Sequence, residues 1–132
     1  MHKSFLITGA ILGAMAVALG AFGAHGLQRM ELGEPIIQGF RTGVQYQFFH
    51  ALALIATAII FSHYSNNKIK WAGICFISGI ILFCGSLYLI TLLNIFEMDT
   101  VRLIGPLTPL GGLFMIAGWV LLVVGILKTK EE

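Results

Sequence analysis

Gln47 and His50 are the residues whose chemistry stands out. They lie three apart within Gly43–Leu54 (G-V-Q-Y-Q-F-F-H-A-L-A-L), which opens an otherwise apolar segment. Residues three apart share a helix face. Polar or ionisable groups at membrane depth are costly and usually face a bundle interior or a wet cavity. An imidazole beside a carboxamide suits ligand or proton handling. The same groups also serve as interhelical fasteners, worth about 0.6 kcal/mol each on average. His25, Ser86, Tyr88 and Thr108 fall toward the same end of the predicted spans. With Gln47 and His50 they make the candidate ligand-binding set, placed to line a small pocket open to the outside. Gln45 and Tyr46 are read as headgroup contacts.

Catalysis finds little support. The chain has no G-x-S-x-G elbow, P-loop or H-E-x-x-H motif, and every Asp and Glu lies in a loop or at the C-terminus. No catalytic residue, metal or cofactor is expected. His25 and His50 have no carboxylate partner at depth, which makes a poor metal pair. Cys75 and Cys84 are nine residues apart on opposite faces of one helix, and are read as small buried hydrophobes. The missing interior acids also weaken a proton-coupled transporter, whose relays usually use Asp or Glu.

The elements that must position these groups follow from composition. Of 132 residues, 58% are hydrophobic and 11% charged, and the mean hydropathy is +0.92. Soluble domains average about 25% charged residues, and a chain this small has too much surface to hide so much apolar area from water. The sequence therefore predicts one all-α membrane domain over residues 1–132, a four-helix bundle with short loops. A net charge of +2 without a basic run gives no sign of nucleic-acid binding.

Four apolar runs approach the roughly 20 residues that a bilayer needs. They are residues 4–24, 43–62, 71–93 and 106–127. Lys3 and the small residues near Ala21 also fit a cleavable signal peptide, but the run exceeds a typical apolar signal core and is kept as a span. Span one holds Gly9/Gly13 and Ala10/Ala14/Ala18 at four-residue spacing, with Gly20 further on. Small residues at that spacing let backbones approach in lipid, and their number on several faces predicts a helix at the bundle centre. Span three carries Ala72, Gly79 and Ser86, and span four Gly111, Gly118 and Gly125, both at seven-residue spacing. Such a repeat keeps small residues on one left-handed packing seam.

Gly26 is placed to end the first helix. Residues 27–42 either lie on the membrane surface or extend the second span from Pro35, with the protruding helix preferred. Pro109 predicts an irregular first turn in span four unless a neighbour supports it. Lys3, Lys68, Lys70, Lys128 and Lys130 fall on the side of the termini, against Arg29, Arg41 and Arg102 on the other. That excess makes both termini cytoplasmic.

Five segments carry a family resemblance: G-A-F-G-A-H-G-L (Gly20–Leu27), Y-Q-F-F-H-A-L-A-L (Tyr46–Leu54), G-S-L-Y (Gly85–Tyr88), G-P-L-T-P-L-G-G (Gly105–Gly112) and I-A-G-W (Ile116–Trp119). Together, and in this order, they resemble the YgdD/YwdK-like family, small four-span proteins of unknown function from bacterial inner membranes. The resemblance covers nearly the whole chain. It implies fold and a cell-membrane location, and brings no established activity. The leading expectation is a non-enzymatic, multi-pass membrane protein that binds a lipid or a membrane partner through the outward-facing polar cluster. A small transporter or channel around His50, Gln47 and Tyr88 is the alternative, and a lipid-modifying enzyme the last. Membrane lipids are the expected partners, with another membrane protein or a second copy of the chain as alternatives.

Overall fold

A computed structural model describes residues 1–99 and 101–128, Val101 by its backbone alone. Lys130 lies outside the described residues, with the rest of 129–132. Among those described there is no strand, and four segments are long and apolar enough to cross a bilayer: Lys3–Arg29, Glu34–His63, Asn67–Ile95 and Arg102–Lys128. Helix α1 is Lys3–His25 and α2 is Glu34–His63. The third span is α3 (Asn67–Gly79), a π-helical turn (Ile80–Cys84) and α4 (Gly85–Ile95). The short α5 (Val101–Ile104) leads to α6 (Leu107–Lys128).

Local chemistry sets most of the ends. Pro35 sits in the first turn of α2, where its missing N–H costs nothing. From there one helix of 30 residues runs unbroken, about 45 Å at 1.5 Å per residue. It exceeds the roughly 30 Å hydrocarbon core, and residues 34–42 continue the second span as one helix. Gly26 does end α1, but in right-handed conformation (φ −74°). Its need for glycine is steric, since a Cβ would meet the Phe22 ring at 2.7 Å. Pro109 falls within the first turn of α6, where Leu110 N–H reaches the Pro106 carbonyl only at a stretched 3.5 Å. Asn66 caps α3, its side chain accepting from the N–H groups of Lys68 and Ile69.

Packing corrects the expectation for span one. α1 lies along α2 and α6 along the third span, while α2 packs against both α1 and the third span. The central helix is therefore α2, and α1 buries only Phe5, Gly9, Ala16 and Gly23. Gly9, Ala16 and Gly23 recur every seven residues, not every four. Against α2, a Cβ on Gly9 would meet Ile55 at 2.7 Å and one on Gly23 would meet the Phe40 ring at 2.8 Å. Gly20 faces Val44 at 3.3 Å, whereas Gly13 has open space around it and is no packing contact. Ala10, Ala14 and Ala18 point outward. A seven-residue line stays in register along two helices packed side by side.

The seam between the third span and α6 is tighter. Gly125, Gly118 and Gly111 receive Ile69, Phe76 and Phe83 in antiparallel order. A Cβ on Gly125 would lie 2.6 Å from Ile69 and one on Gly118 2.7 Å from Phe76, while one on Gly111 would fall on the backbone of Phe83 in the π-helical turn. Gly79 packs on Met115 and the Gly111 carbonyl, and the Ala72 carbonyl faces Gly118. Cys75 and Cys84 are both buried free thiols.

Candidate functional site

α2 carries two buried seven-residue lines, Phe40, Gln47 and Leu54 on one and Gly43, His50 and Thr57 on the other. Its central position makes both lines face neighbours, so the polar members meet partners on three helices. Gln47 is 2% exposed. Its Nε2 donates to the Leu12 carbonyl of α1 at 2.8 Å, and its Oε1 accepts from the Tyr88 hydroxyl of α4 at 2.7 Å. One carboxamide thus joins the first and third spans through the second.

His50 is 6% exposed. Its Nδ1 lies 2.8 Å from the Tyr46 carbonyl, and its Nε2 accepts from the Trp119 indole N–H at 3.2 Å. Both contacts are met only by the neutral tautomer with the proton on Nδ1. The Phe76 and Trp119 rings close around it at centroid distances of 5.7 and 6.0 Å.

Ser86 and Thr108 pair at 2.6 Å, and the Ser86 hydroxyl donates to the Phe83 carbonyl at 2.8 Å. With its one proton spent there, Ser86 accepts from Thr108. The π-helical turn disturbs the backbone ladder just where Phe83 sits, and a Ser side chain can re-satisfy a carbonyl loosened in this way within lipid. Thr57 donates to the Ala53 carbonyl at 2.7 Å.

Five of the six predicted site residues therefore join internal bonds: Gln47 with Tyr88, Ser86 with Thr108, and His50 with Trp119. They turn to one another rather than to an outward opening. His25 stands apart, exposed at the end of α1. Two residues beyond Gly23, it is turned about 200° from the buried line. Trp119 and Asn66 escaped the sequence-based set. Trp119 sits in the I-A-G-W segment, where it carries the family resemblance without a role of its own. Asn66 reads as an ordinary loop residue, and its partner Gly125 is 59 positions away. Among the described residues no group of three or more His, Cys, Asp or Glu is arranged to hold a metal ion.

Tyr88 also forms the wall of a cavity of about 350 Å³ between α1, α2 and α4. Leu19, Phe22, Phe40, Leu92 and Ile95 line it with Tyr88. The Tyr88 hydroxyl is turned to Gln47 and the Thr91 hydroxyl to the Leu87 carbonyl at 3.0 Å, so the groove presents hydrocarbon. Ile95 is shared with a polar recess of about 320 Å³ that Met30, Glu31, Asn94 and Glu97 help to line.

Residues 19–112 match the model of a family described as proteins of unknown function, DUF423. The chain is 41% identical over 126 residues to UPF0382 membrane protein SSP2132 of Staphylococcus saprophyticus, covering 96% of this chain and 98% of that one. It is 40% identical over 127 residues to UPF0382 membrane protein YwdK of Bacillus subtilis, covering 96% and 98%. With UPF0382 inner membrane protein YgdD of Escherichia coli it shares 37% over 130 residues, covering 98% and 94%. No solved structure matches.

Proposed function

The chain belongs to the DUF423 family, alongside the UPF0382 membrane proteins, and from that footing we propose a non-enzymatic protein that binds a membrane lipid in the groove walled by Tyr88. The observation that carries this reading is the groove's chemistry. Its hydroxyls are engaged elsewhere, its remaining lining is hydrocarbon, and at Ile95 it adjoins a polar recess. That order, apolar then polar, matches an acyl chain below its headgroup. The buried polar cluster serves this site indirectly, holding the groove wall through Tyr88 and Gln47. Its mutual bonds support packing over a hydrophilic path or a nucleophile–base pair. The lysine excess on the side of the termini supports a topology with both termini cytoplasmic, which puts the groove in the outer leaflet.

The test is native mass spectrometry of protein released from phosphatidylcholine nanodiscs, wild type beside Leu92→Trp. Leu92 is 48% exposed, so the indole fills the groove without entering the core. Wild type is expected to keep one lipid adduct and the variant to lose it at unchanged thermal stability. Equal adducts in both proteins would remove the groove as the site.

A further inference from the structure

We propose a second, independent site at the opposite end of the molecule, a pocket for the phosphate of an anionic phospholipid between the start of α3 and the end of α6. A cavity of about 360 Å³ lies there, lined by Ser65, Asn66, Asn67, Lys68 and Lys128. Among the described residues no carboxylate lines it, and the first turn of α3 holds no acidic residue. Its two ammonium groups come from different helices, so their spacing depends on how those helices are joined.

Asn66 makes the joint. Its Oδ1 accepts from Lys68 N–H at 3.0 Å and Ile69 N–H at 3.2 Å, and its Nδ2 donates to the Gly125 carbonyl at 2.9 Å and the Tyr64 carbonyl at 3.3 Å. The close approach of Gly125 to Ile69 reinforces it. The backbones that carry Lys68 and Lys128 are thereby held against each other, which keeps both lysines on the lining of one pocket.

Depth selects the occupant. Trp71, 57% exposed, lies three residues further along α3 than Lys68. That is about 4.5 Å at helical rise. Tryptophan rings anchor at the membrane–water interface, so Lys68 and the pocket stand at headgroup level. Basic pockets between spans at that level suit anionic headgroups. The shared chemistry is a phosphate monoanion, and the depth commits it to a lipid.

Phosphatidylglycerol in phosphatidylcholine nanodiscs is the probe, with native mass spectrometry of the full chain carrying Leu92→Trp, which fills the groove, as readout. One phosphatidylglycerol per chain is expected to be retained in preference to phosphatidylcholine. Lys68→Gln and Lys128→Gln should each weaken retention about fivefold, and together about 30-fold, from roughly 1 kcal/mol per surface lysine. Lys70→Gln removes the same charge outside the pocket and should leave retention unchanged. All three side chains are outside the buried core, and melting curves verify that the variants fold. If Lys70→Gln weakens retention as much, diffuse surface charge explains the binding and the pocket is refuted. Equal retention of both lipids refutes it too. Inorganic phosphate binding with the same lysine dependence, in protein that retains no phosphatidylglycerol, would assign the pocket to free phosphate and overturn the lipid. Because Leu92→Trp fills only the opposite groove, the two sites succeed or fail separately.

Discussion

At the scale of single residues, Gln47, His50 and Ser86 act as fasteners because each makes two hydrogen bonds. His50 bonds the Tyr46 carbonyl within its own helix and receives Trp119 from another. Trp119→Phe keeps the aromatic contacts with Phe76 and leaves Nε2 buried without a donor. A buried acceptor stripped of its partner costs about 1–3 kcal/mol, and the lower end is expected because bonds between spans average about 0.6 kcal/mol. A double-mutant cycle with His50→Leu, read by unfolding in mixed micelles, should give a coupling near 0.6 kcal/mol. Zero coupling would mean that the indole and imidazole are neighbours without a bond. The polar character of Gln47 and His50 and their shared inward side were legible from spacing alone. Their partners were not, since Trp119 lies 69 positions from His50 and Leu12 lends only its backbone carbonyl to Gln47.

At the scale of elements, small residues decide how closely helices approach, and their surroundings rank them. Gly111 meets the backbone of Phe83, which cannot rotate aside, whereas Gly13 meets nothing within 4 Å. Gly111→Ala should destabilise by about 1–3 kcal/mol, the usual cost of overpacking. Gly13→Ala should be neutral or stabilise by up to about 1 kcal/mol through helix propensity. Thermal unfolding of the two variants in one detergent compares them directly, and similar losses would contradict the seam. The seam of α6 could be read in advance because Gly111, Gly118 and Gly125 stand among large side chains. In α1 ten of 23 positions are glycine or alanine, so Gly9, Ala16 and Gly23 were hidden among equals and the helix was expected at the centre. The π-helical turn has no sequence signal. Ile80–Cys84 is as apolar as any helical run, and the extra residue per turn falls where the backbone of Phe83 packs against Gly111.

At the scale of the whole molecule, the bundle is two helical hairpins, α1 with α2 and the third span with α6, set side by side. Each hairpin is closed by small-residue seams. Among the described residues two side-chain bonds cross between the helices of the two hairpins, Tyr88 to Gln47 and Trp119 to His50, besides the bond of Asn66 to the Tyr64 carbonyl in the connection. Lipid supplies no hydrophobic force between spans, so packing and such bonds carry association. The connection at Ser65 is short and polar, and a chain cut there leaves one complete hairpin in each piece. Co-expressed fragments 1–65 and 66–132 should therefore find each other in the membrane and co-purify. Tyr88→Phe together with Trp119→Phe removes both crossing bonds while nearly conserving volume in the first case and the aromatic contact in the second. At about 0.6 kcal/mol per bond, association should weaken roughly eightfold. Quantitative pull-down at several expression levels measures the shift. If the doubly substituted fragments associate as well as the unsubstituted ones, the hairpins are held by apolar packing at Phe76, Gly43 and Leu87, and the polar fasteners serve only to fix the groove wall at Tyr88.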